Sequence, residues 1–270
     1  MFRKALKISL TPPPNGSSLR SVQIPVDGRD VFKKSDAYGL LQQGWSVRQR
    51  GDYCDVGFGR HHPLAHVFSE AEADTPQPIE LTTDRVPLGS LQTVGVSTAP
   101  LGMIEFADYQ CPFCVKFAES VFPQIKAKYV DSGLVRFEFR NFPLPIHPLA
   151  DDMAVAGVCL TKSRGFMSAH DFLFAGASDF TRKWLPDAAT ALGMTSRSLE
   201  ACSEDPASTA YVDQDVELAR RLGVDATPTF IIGRSFGAEL QVIDAVVGAG
   251  EFKDFEKLLD AARAVASVDR

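Results

Sequence analysis

The sequence lacks any apolar run that approaches the ~20 residues needed to cross a bilayer, so we expect no membrane span. It also lacks a basic block, and its formal net charge at pH 7 is −6. Proteins that bind nucleic acid ordinarily carry such a block, so we expect no nucleic-acid partner. The apolar content of 45% and the charged content of 23% are ordinary for a globular protein with a substantial core.

An export signal is also missing from the sequence as it stands. The first ten residues, MFRKALKISL, begin basic and turn mildly apolar, and the prolines from Pro12 to Pro14 then end the run. This stretch is too short for the core of a signal peptide. Taken alone, it predicts a cytoplasmic protein.

Cysteine is scarce, since the 270 residues contain only five. Five is too few for a protein held together by disulfides, and an odd number leaves one thiol unpaired if the others bridge. The sequence has one Cys-x-x-Cys pair and no second Cys-x-x-Cys or Cys-x-x-His, so we expect no structural zinc. His61, His62 and His66 lie near Cys54, and metal binding is one possible role for them. We expect them instead to be surface or disordered residues, because no helix or strand pattern organises them.

The closely spaced pair is Cys111-Pro112-Phe113-Cys114, and its flanking segments make it informative. An apolar run, Leu101–Ala107, precedes it, and an amphipathic stretch, Val115–Val130, follows it. A strand, Cys-x-x-Cys and a helix in this order are typical of a redox-active disulfide that is made and broken repeatedly. The cysteine pair itself would carry the chemistry, so we expect no cofactor.

Residues 1–85 differ in composition from the rest. They contain a proline-, glycine- and serine-rich stretch at 12–18, short possible strands such as Val22–Val26, and an acidic, proline-bearing stretch at 70–78 that is typical of a linker. The sequence therefore predicts an N-terminal extension over residues 1–85, either poorly ordered or folded as a small separate module. A larger domain is predicted over residues 86–270.

Periodic patterns become clear from residue 99 and predict alternating strands and helices. Strands are expected at 101–107, 135–139, 229–232 and 242–247. Helices are expected at 112–130 with a kink at Pro123, in a block at 149–200, at 207–222 and at 252–266. This order predicts an α/β domain in which helices cover both faces of a central mixed sheet.

Four further stretches accompany the cysteine motif in a characteristic order. They are Ile104–Gln110, Asn141–Leu144 with His147-Pro148, His170–Phe174, and Leu222–Phe230. Over about residues 87–267 the sequence resembles the DsbA-like family of thiol-disulfide oxidoreductases. The resemblance implies a thioredoxin-like fold, a central mixed sheet flanked by helices, with a helical insertion at about 148–206. It also implies an extracytoplasmic location, although members usually begin with a signal peptide or a membrane anchor that is not recognised here.

The two thiols of the motif have different expected roles. Cys111 would lie at the N-terminus of a helix, where unpaired backbone N–H groups and the helix dipole favour a thiolate, so we expect it to be the nucleophile. Cys114 lies one turn further in and would be the resolving thiol. Phe113 stands where the best-studied oxidants of the family have histidine, so we expect the pKa of Cys111 to be lowered less than in those proteins.

The resemblance assigns Pro228 to a cis-proline that faces the disulfide, with a trans proline at the start of a strand as the alternative. The backbone of Thr227 would then pair with an extended substrate segment, and Pro112 and Phe113 would contribute to the same binding surface. His147 and His170 also match positions of the family, and we expect them to serve packing or capping.

Two further expectations come from the resemblance. It places a buried acid beneath the disulfide at Glu105, where a raised pKa would let the carboxyl move protons for the resolving thiol. The alternative is a carboxylate exposed on one face of the strand. The resemblance also allows a second, structural disulfide between Cys159 and Cys202, with two reduced core thiols as the alternative.

The function implied is a protein thiol-disulfide oxidoreductase that works through a mixed disulfide and is recycled by an unidentified redox partner. Its substrates would be protein or peptide thiols and disulfides, and oxidation is the direction that the resemblance favours. One alternative is a glutathione-dependent kappa-type transferase or isomerase, although such enzymes generally lack the second cysteine. Another is a non-catalytic module that binds peptides along the Thr227-Pro228 edge.

Overall fold

The computed structural model describes residues 22–25, 45–50, 53–58, 75–175 and 189–268. Contacts divide the chain into two compact units, Met1–Glu72 and Ala73–Arg270. The histidines at 61, 62 and 66 lie outside the described residues. Within the described part of the chain, no helix combines the length and the hydropathy that a bilayer crossing requires.

The described part of the first unit is a small antiparallel sheet. Its strands are β1 (Val22–Pro25), β2 (Trp45–Arg50) and β3 (Tyr53–Phe58), arranged in the order β1-β3-β2. β3 pairs with both neighbours, so residues more than 20 positions apart in sequence come together in this unit.

A larger mixed sheet forms the centre of the second unit. Its order is β4-β10-β9-β7-β8-β6, and β5 also pairs with β10. The parallel pair is β7 with β8, and β9 runs antiparallel to both β7 and β10. The strands are β4 (Gln77–Pro78), β5 (Arg85–Pro87), β6 (Thr93–Val94), β7 (Leu101–Ala107), β8 (Val135–Asn141), β9 (Thr229–Phe236) and β10 (Glu239–Val247).

The start of this unit differs from the boundary that the sequence predicted at residue 85. β4 and β5 both pair with β10, which places residues of the predicted linker and extension in the central sheet. The Ile79 N–H also donates to the Ala245 carbonyl at 2.9 Å. Because these residues pair with a strand about 160 residues away, the second unit begins at Ala73 and not near residue 85.

Seven helices of the second unit are described. They are α1 (Pro112–Lys116), α2 (Phe122–Ile125), α3 (Ala150–Arg164), α4 (Phe166–Ala175), α5 (Ser196–Ser203), α6 (Pro206–Leu222) and α7 (Phe252–Val268). Two π-helical turns, Phe117–Val121 and Lys126–Val130, follow α1 and α2, so the first helical stretch is irregular. Pro123, where the sequence predicts a kink, lies at the step from the first π turn into α2 and has no N–H to donate.

Alternation along the strands sends apolar side chains to both faces of the sheet. On one face the core includes Met103, Phe137, Phe230, Phe117 of the first π turn and Phe255 of α7. On the other face, strand residues form a second cluster with Leu218 and Leu222 of α6. Each fully buried Phe or Leu contributes roughly 1.5–3 kcal/mol. Helices therefore cover both faces, as the sequence predicted, and hold β7 rigidly in the centre.

A disulfide joins two helices of the helical insertion. Cys159 of α3 and Cys202 of α5 are bonded across 43 residues of sequence. The Cys159 side chain is 1% exposed and belongs to the main core cluster. The alternative of two reduced core thiols is therefore not what the structure contains.

Removing this bridge should destabilise the domain. Replacing both Cys159 and Cys202 by Ala is expected to lower the free energy of unfolding by about 2–4 kcal/mol, because a loop of this length restricts the unfolded chain. Denaturant titration without reductant measures the difference. In strong reductant, which breaks the bridge in the parent, the free energies of unfolding of the parent and the variant should become equal. Equal stability without reductant would contradict a stabilising role.

Candidate active site

The candidate site forms where β7 gives way to α1. Every residue of β7 is buried, and the strand ends at Ala107. Cys111 then caps α1 with an extended backbone (φ −72°, ψ 120°), and Pro112 follows as the first helical residue. The Cys111 N–H donates to the Asp108 carbonyl at 3.0 Å. A buried strand thus presents Cys111 at the helix N-terminus, where N–H groups are unpaired.

The Cys111 thiol is 4% exposed and lies against the Thr227 loop. Its Sγ donates to the Thr227 carbonyl at 3.5 Å. A hydrogen bond from the Cys114 thiol lowers the pKa of Cys111 from 9.0 to about 7, against the opposing effect of burial. Hydrogen bonds from the backbone N–H groups of Phe113 and Cys114, in the first turn of the helix, add to the lowering. About half of this thiol is therefore ionised near neutral pH.

Cys114 differs from Cys111 in its degree of burial and in the direction in which its pKa is shifted. It is fully buried in the main core cluster. Burial raises its pKa well above the ordinary 9.0, and the hydrogen bond and the negative charge of Cys111 raise it further. The site therefore combines one ionisable, slightly exposed sulfur with one that stays protonated.

Glu105 lies inside the domain. Its side chain is fully buried on β7, opposite Phe139 of β8 and Phe230 of β9. Neither carboxyl oxygen has a hydrogen-bond partner among the described residues. Burial raises the pKa of Glu105 well above 4.5, and the Cys111 charge raises it further. The alternative of a carboxylate exposed on the strand is therefore wrong.

Thr227 and Pro228 lie across from the cysteines and are joined by a cis peptide bond. Thr227 is 9% exposed, and the Gly248 N–H donates to the Pro228 carbonyl at 2.9 Å. Pro112 is exposed, whereas Phe113 is half-buried and packs on the main core cluster. The structure thus brings the residues assigned to catalysis and to substrate binding into one region around Cys111.

One polar pair beside the cysteines was not assigned to the site from the sequence. The Nδ1 atom of His147 lies 2.6 Å from Oδ2 of Asp108, a carboxylate that is itself buried. The hydrogen bond with Asp108 raises the pKa of His147 above 6.5, although burial opposes it. His147 is 39 residues from Asp108 in the sequence, and no local pattern predicts the contact.

His170, in contrast, packs as the sequence predicted. It is 1% exposed on α4 and lies among the rings of Phe122, Phe139 and Phe166. Burial lowers its pKa below 6.5. Within the described residues, no three His, Cys, Asp or Glu side chains are grouped so that they could hold a metal ion.

Comparison with known proteins places this site in a family context. Residues 90–249 match the family model described as Thioredoxin. The Disulfide bond formation protein D of Bacillus subtilis is 26% identical over 148 residues, which are 52% of this chain and 66% of that protein. The Na(+)/H(+) antiporter NhaA 3 of Salinispora tropica is 29% identical over 165 residues, 61% of this chain and 24% of that protein. The chain therefore spans less than two thirds of the length of these curated relatives.

Solved structures show the same fold. The alpha-DsbA1 of Wolbachia pipientis superposes with a TM-score of 0.57 at 26% identity, covering 66% of this chain and 93% of that one. The BdbD of Bacillus subtilis superposes with a TM-score of 0.52 over 67% of this chain and 98% of that one, and its 22% identity supports the fold alone. With more than half of the chain matched by the family model, the protein belongs to the thioredoxin family, and its fold is similar to those of the DsbA proteins.

Proposed function

We propose that the protein is a thiol-disulfide oxidoreductase that exchanges disulfides with other proteins through Cys111. One observation supports this most strongly: two thiols at the same helix end have pKa values shifted in opposite directions. A low pKa makes Cys111 a good nucleophile and a good leaving group, while a high pKa keeps Cys114 protonated until it is needed.

In the oxidising direction the reaction starts from a Cys111–Cys114 disulfide. A substrate thiolate attacks the sulfur of Cys111, forming a mixed disulfide and breaking the internal bond, and Cys114 leaves as a thiolate that takes up a proton. A second substrate thiolate then attacks the substrate sulfur of the mixed disulfide. This step forms the substrate disulfide and releases Cys111 as a thiolate. The enzyme now holds the two electrons, which a separate redox partner must remove.

Glu105 is suited to supply the proton that Cys114 takes up. Burial raises the pKa of the Glu105 carboxyl and so favours its protonated form, and Glu105 is close enough to Cys114 that a charge on it raises the pKa of that thiol. In the reverse direction, the same carboxyl group in its ionised form would accept the thiol proton. The site therefore needs no external acid or base for the buried sulfur.

Substrates would bind along the Thr227-Pro228 loop. Thr227 already contacts the Cys111 sulfur, so a cysteine-bearing segment laid beside it would bring its own sulfur to the nucleophile. Extended segments gain affinity from backbone hydrogen bonds at such positions. Pro112 and the half-buried Phe113 supply apolar surface beside them.

Oxidation is the direction that we favour. A lowered pKa stabilises the reduced state of Cys111, which makes the disulfide a better oxidant. The relatives named for disulfide bond formation point the same way. The test compares oxidative refolding of a reduced, disulfide-containing substrate with reduction of insulin, alongside the reduction potential of the cysteine pair. We expect the protein to accelerate refolding, relative to the uncatalysed rate, more than it accelerates the reduction of insulin. Absence of both activities would overturn the proposal.

The role of Glu105 can be tested kinetically. Replacing it by Gln should slow the step in which Cys114 leaves or attacks by about 100-fold, the low end of the range for general acid–base catalysis. Acid quench of the mixed disulfide, followed over time near neutral pH, measures that step. Glu119→Gln, which changes an exposed carboxyl, is the matched control and should leave the rate unchanged.

The same substitution should change how stability depends on pH. Because the pKa of Glu105 is raised in the folded state, the folded protein keeps a proton that the unfolded chain loses above about pH 4.5. The free energy of unfolding of the parent therefore falls as the pH rises from about 4.5 towards the raised pKa of Glu105, by at most ~1.4 kcal/mol per pH unit. The Gln variant has no carboxyl group to titrate at this position. The stability of Glu105→Gln relative to the parent should thus rise with pH above 4.5 in reduced protein, and a pH-independent difference would contradict a protonated buried carboxyl.

A further inference from the structure

Asp108 organises the turn that leads into Cys111. Its carbonyl accepts the Cys111 N–H at 3.0 Å, and its Oδ1 accepts the Gln110 N–H at 2.7 Å. The other carboxylate oxygen, Oδ2, faces away from the turn and accepts the Leu144 N–H at 2.9 Å. With its side chain buried, Asp108 links the nucleophile's turn to the loop after β8.

His147 is fixed in place on that second loop. Its Nδ1 lies 2.6 Å from Oδ2 of Asp108, and its side chain is 11% exposed. The loop is tied down again two residues later, where the Leu149 N–H donates to Oε1 of Gln110 at 2.6 Å. These bonds hold the imidazole beside the segment that carries Cys111, and they leave the ring little freedom to turn away.

The charges around His147 favour its protonated form. The hydrogen bond with Asp108 raises its pKa most, and the charges of Asp108 and of the Cys111 thiolate raise it further, while burial opposes them. The Cys111 thiolate and the imidazolium therefore attract one another. Such coupling is reciprocal: because the thiolate favours protonation of His147, protonation of His147 favours the thiolate.

We propose that His147, oriented by Asp108, is a positioning residue that stabilises the Cys111 thiolate with a positive charge. This deepens the proposed thiol-disulfide exchange and rests on it. The reduced state of the cysteine pair would owe part of its stability to an imidazolium outside the Cys-x-x-Cys motif. That contribution matters here because position 113 is Phe and supplies no charge of its own.

The first test measures the pKa of Cys111 from its thiolate absorbance at 240 nm and from its alkylation rate. His147→Asn keeps a donor for Asp108 but removes the charge. It should raise the pKa of Cys111 by ~0.5–1 unit and slow alkylation at pH 6 by about 3- to 10-fold, less than a fully buried opposite charge would cause. His147→Lys, which restores a positive charge, should return both values towards those of the parent. Lys128→Gln removes one exposed positive charge elsewhere and should change neither value.

The second test uses the unsubstituted protein and so does not depend on how a variant folds. The ring titration of His147, followed by NMR and assigned by its loss in His147→Asn, should show a higher pKa in the reduced than in the oxidised state. Oxidation removes the thiolate that attracts the proton. Identical titrations in both states, or an unchanged Cys111 pKa in a folded His147→Asn protein, would overturn the inference. Either result would leave the proposed function intact if the parent still exchanges disulfides.

Discussion

Replacing Cys111 by Ser is expected to reduce disulfide exchange to the uncatalysed background. At pH 7 a thiol with a pKa of about 7 is about half thiolate, whereas a cysteine with the ordinary pKa of 9.0 is only about 1% thiolate. A hydroxyl at this position is not ionised at all near neutral pH, and it cannot form a disulfide. Rates of oxidative refolding and of insulin reduction measure the loss.

The specificity of this effect is checked in two ways. The variant should keep the Cys159–Cys202 bridge and unfold in a single transition close to that of the parent, because Ser closely matches Cys in size. In the parent, alkylation of the fast thiol should rise with pH and reach half its plateau near pH 7. Exchange that continues above background in the variant would show that another group carries the chemistry.

Replacing Cys114 by Ala should trap the protein on its substrates. Cys111 would still attack a substrate disulfide, but no neighbouring thiol would then resolve the mixed disulfide. Groups held in place react with effective molarities of ~10⁵–10⁸ M, so the adduct should persist at least about a thousandfold longer in the absence of added thiol. Non-reducing gels of the variant mixed with a disulfide-containing protein would show the adduct.

Reductant should release that adduct, and a protein lacking both Cys111 and Cys114 should form none. Cys111→Ser is the complementary variant, since it keeps the sulfur of Cys114 and lacks that of Cys111. Absence of adducts with Cys114→Ala, in a protein whose Cys111 is still alkylated rapidly, would contradict the resolving role.

Much of the central fold was predictable because it depends on local patterns. β7 is a continuous apolar run, α6 and α7 each carry an apolar period of helical spacing, and α6 also has Asp205 as its N-cap and Gly223 as its C-cap. β4 and β5 were missed because strands of two and three residues, both containing proline, are too short to show a period. Their pairing partner β10 lies about 160 residues away.

The candidate site likewise contains residues that local patterns predict and residues that they do not. Cys111 and Cys114 are close in sequence, so one strand and one helix turn were enough to relate them. Glu105, Pro228 and the Cys159–Cys202 pair came from family resemblance, because no spacing rule selects them. The contact between Asp108 and His147 depends on how two loops meet, and tertiary contacts of that kind leave no periodic signal in the chain.

The pairing of β4 and β5 with β10 also bears on how the folded unit is defined. Both strands precede residue 90, where the family match begins. A shortened protein starting there would uncover backbone groups along the flank of β10, and such unpaired groups invite self-association. We therefore expect a protein that lacks residues 73–89, which lie outside the part of the chain by which the family is recognised, to self-associate more readily than one that retains them.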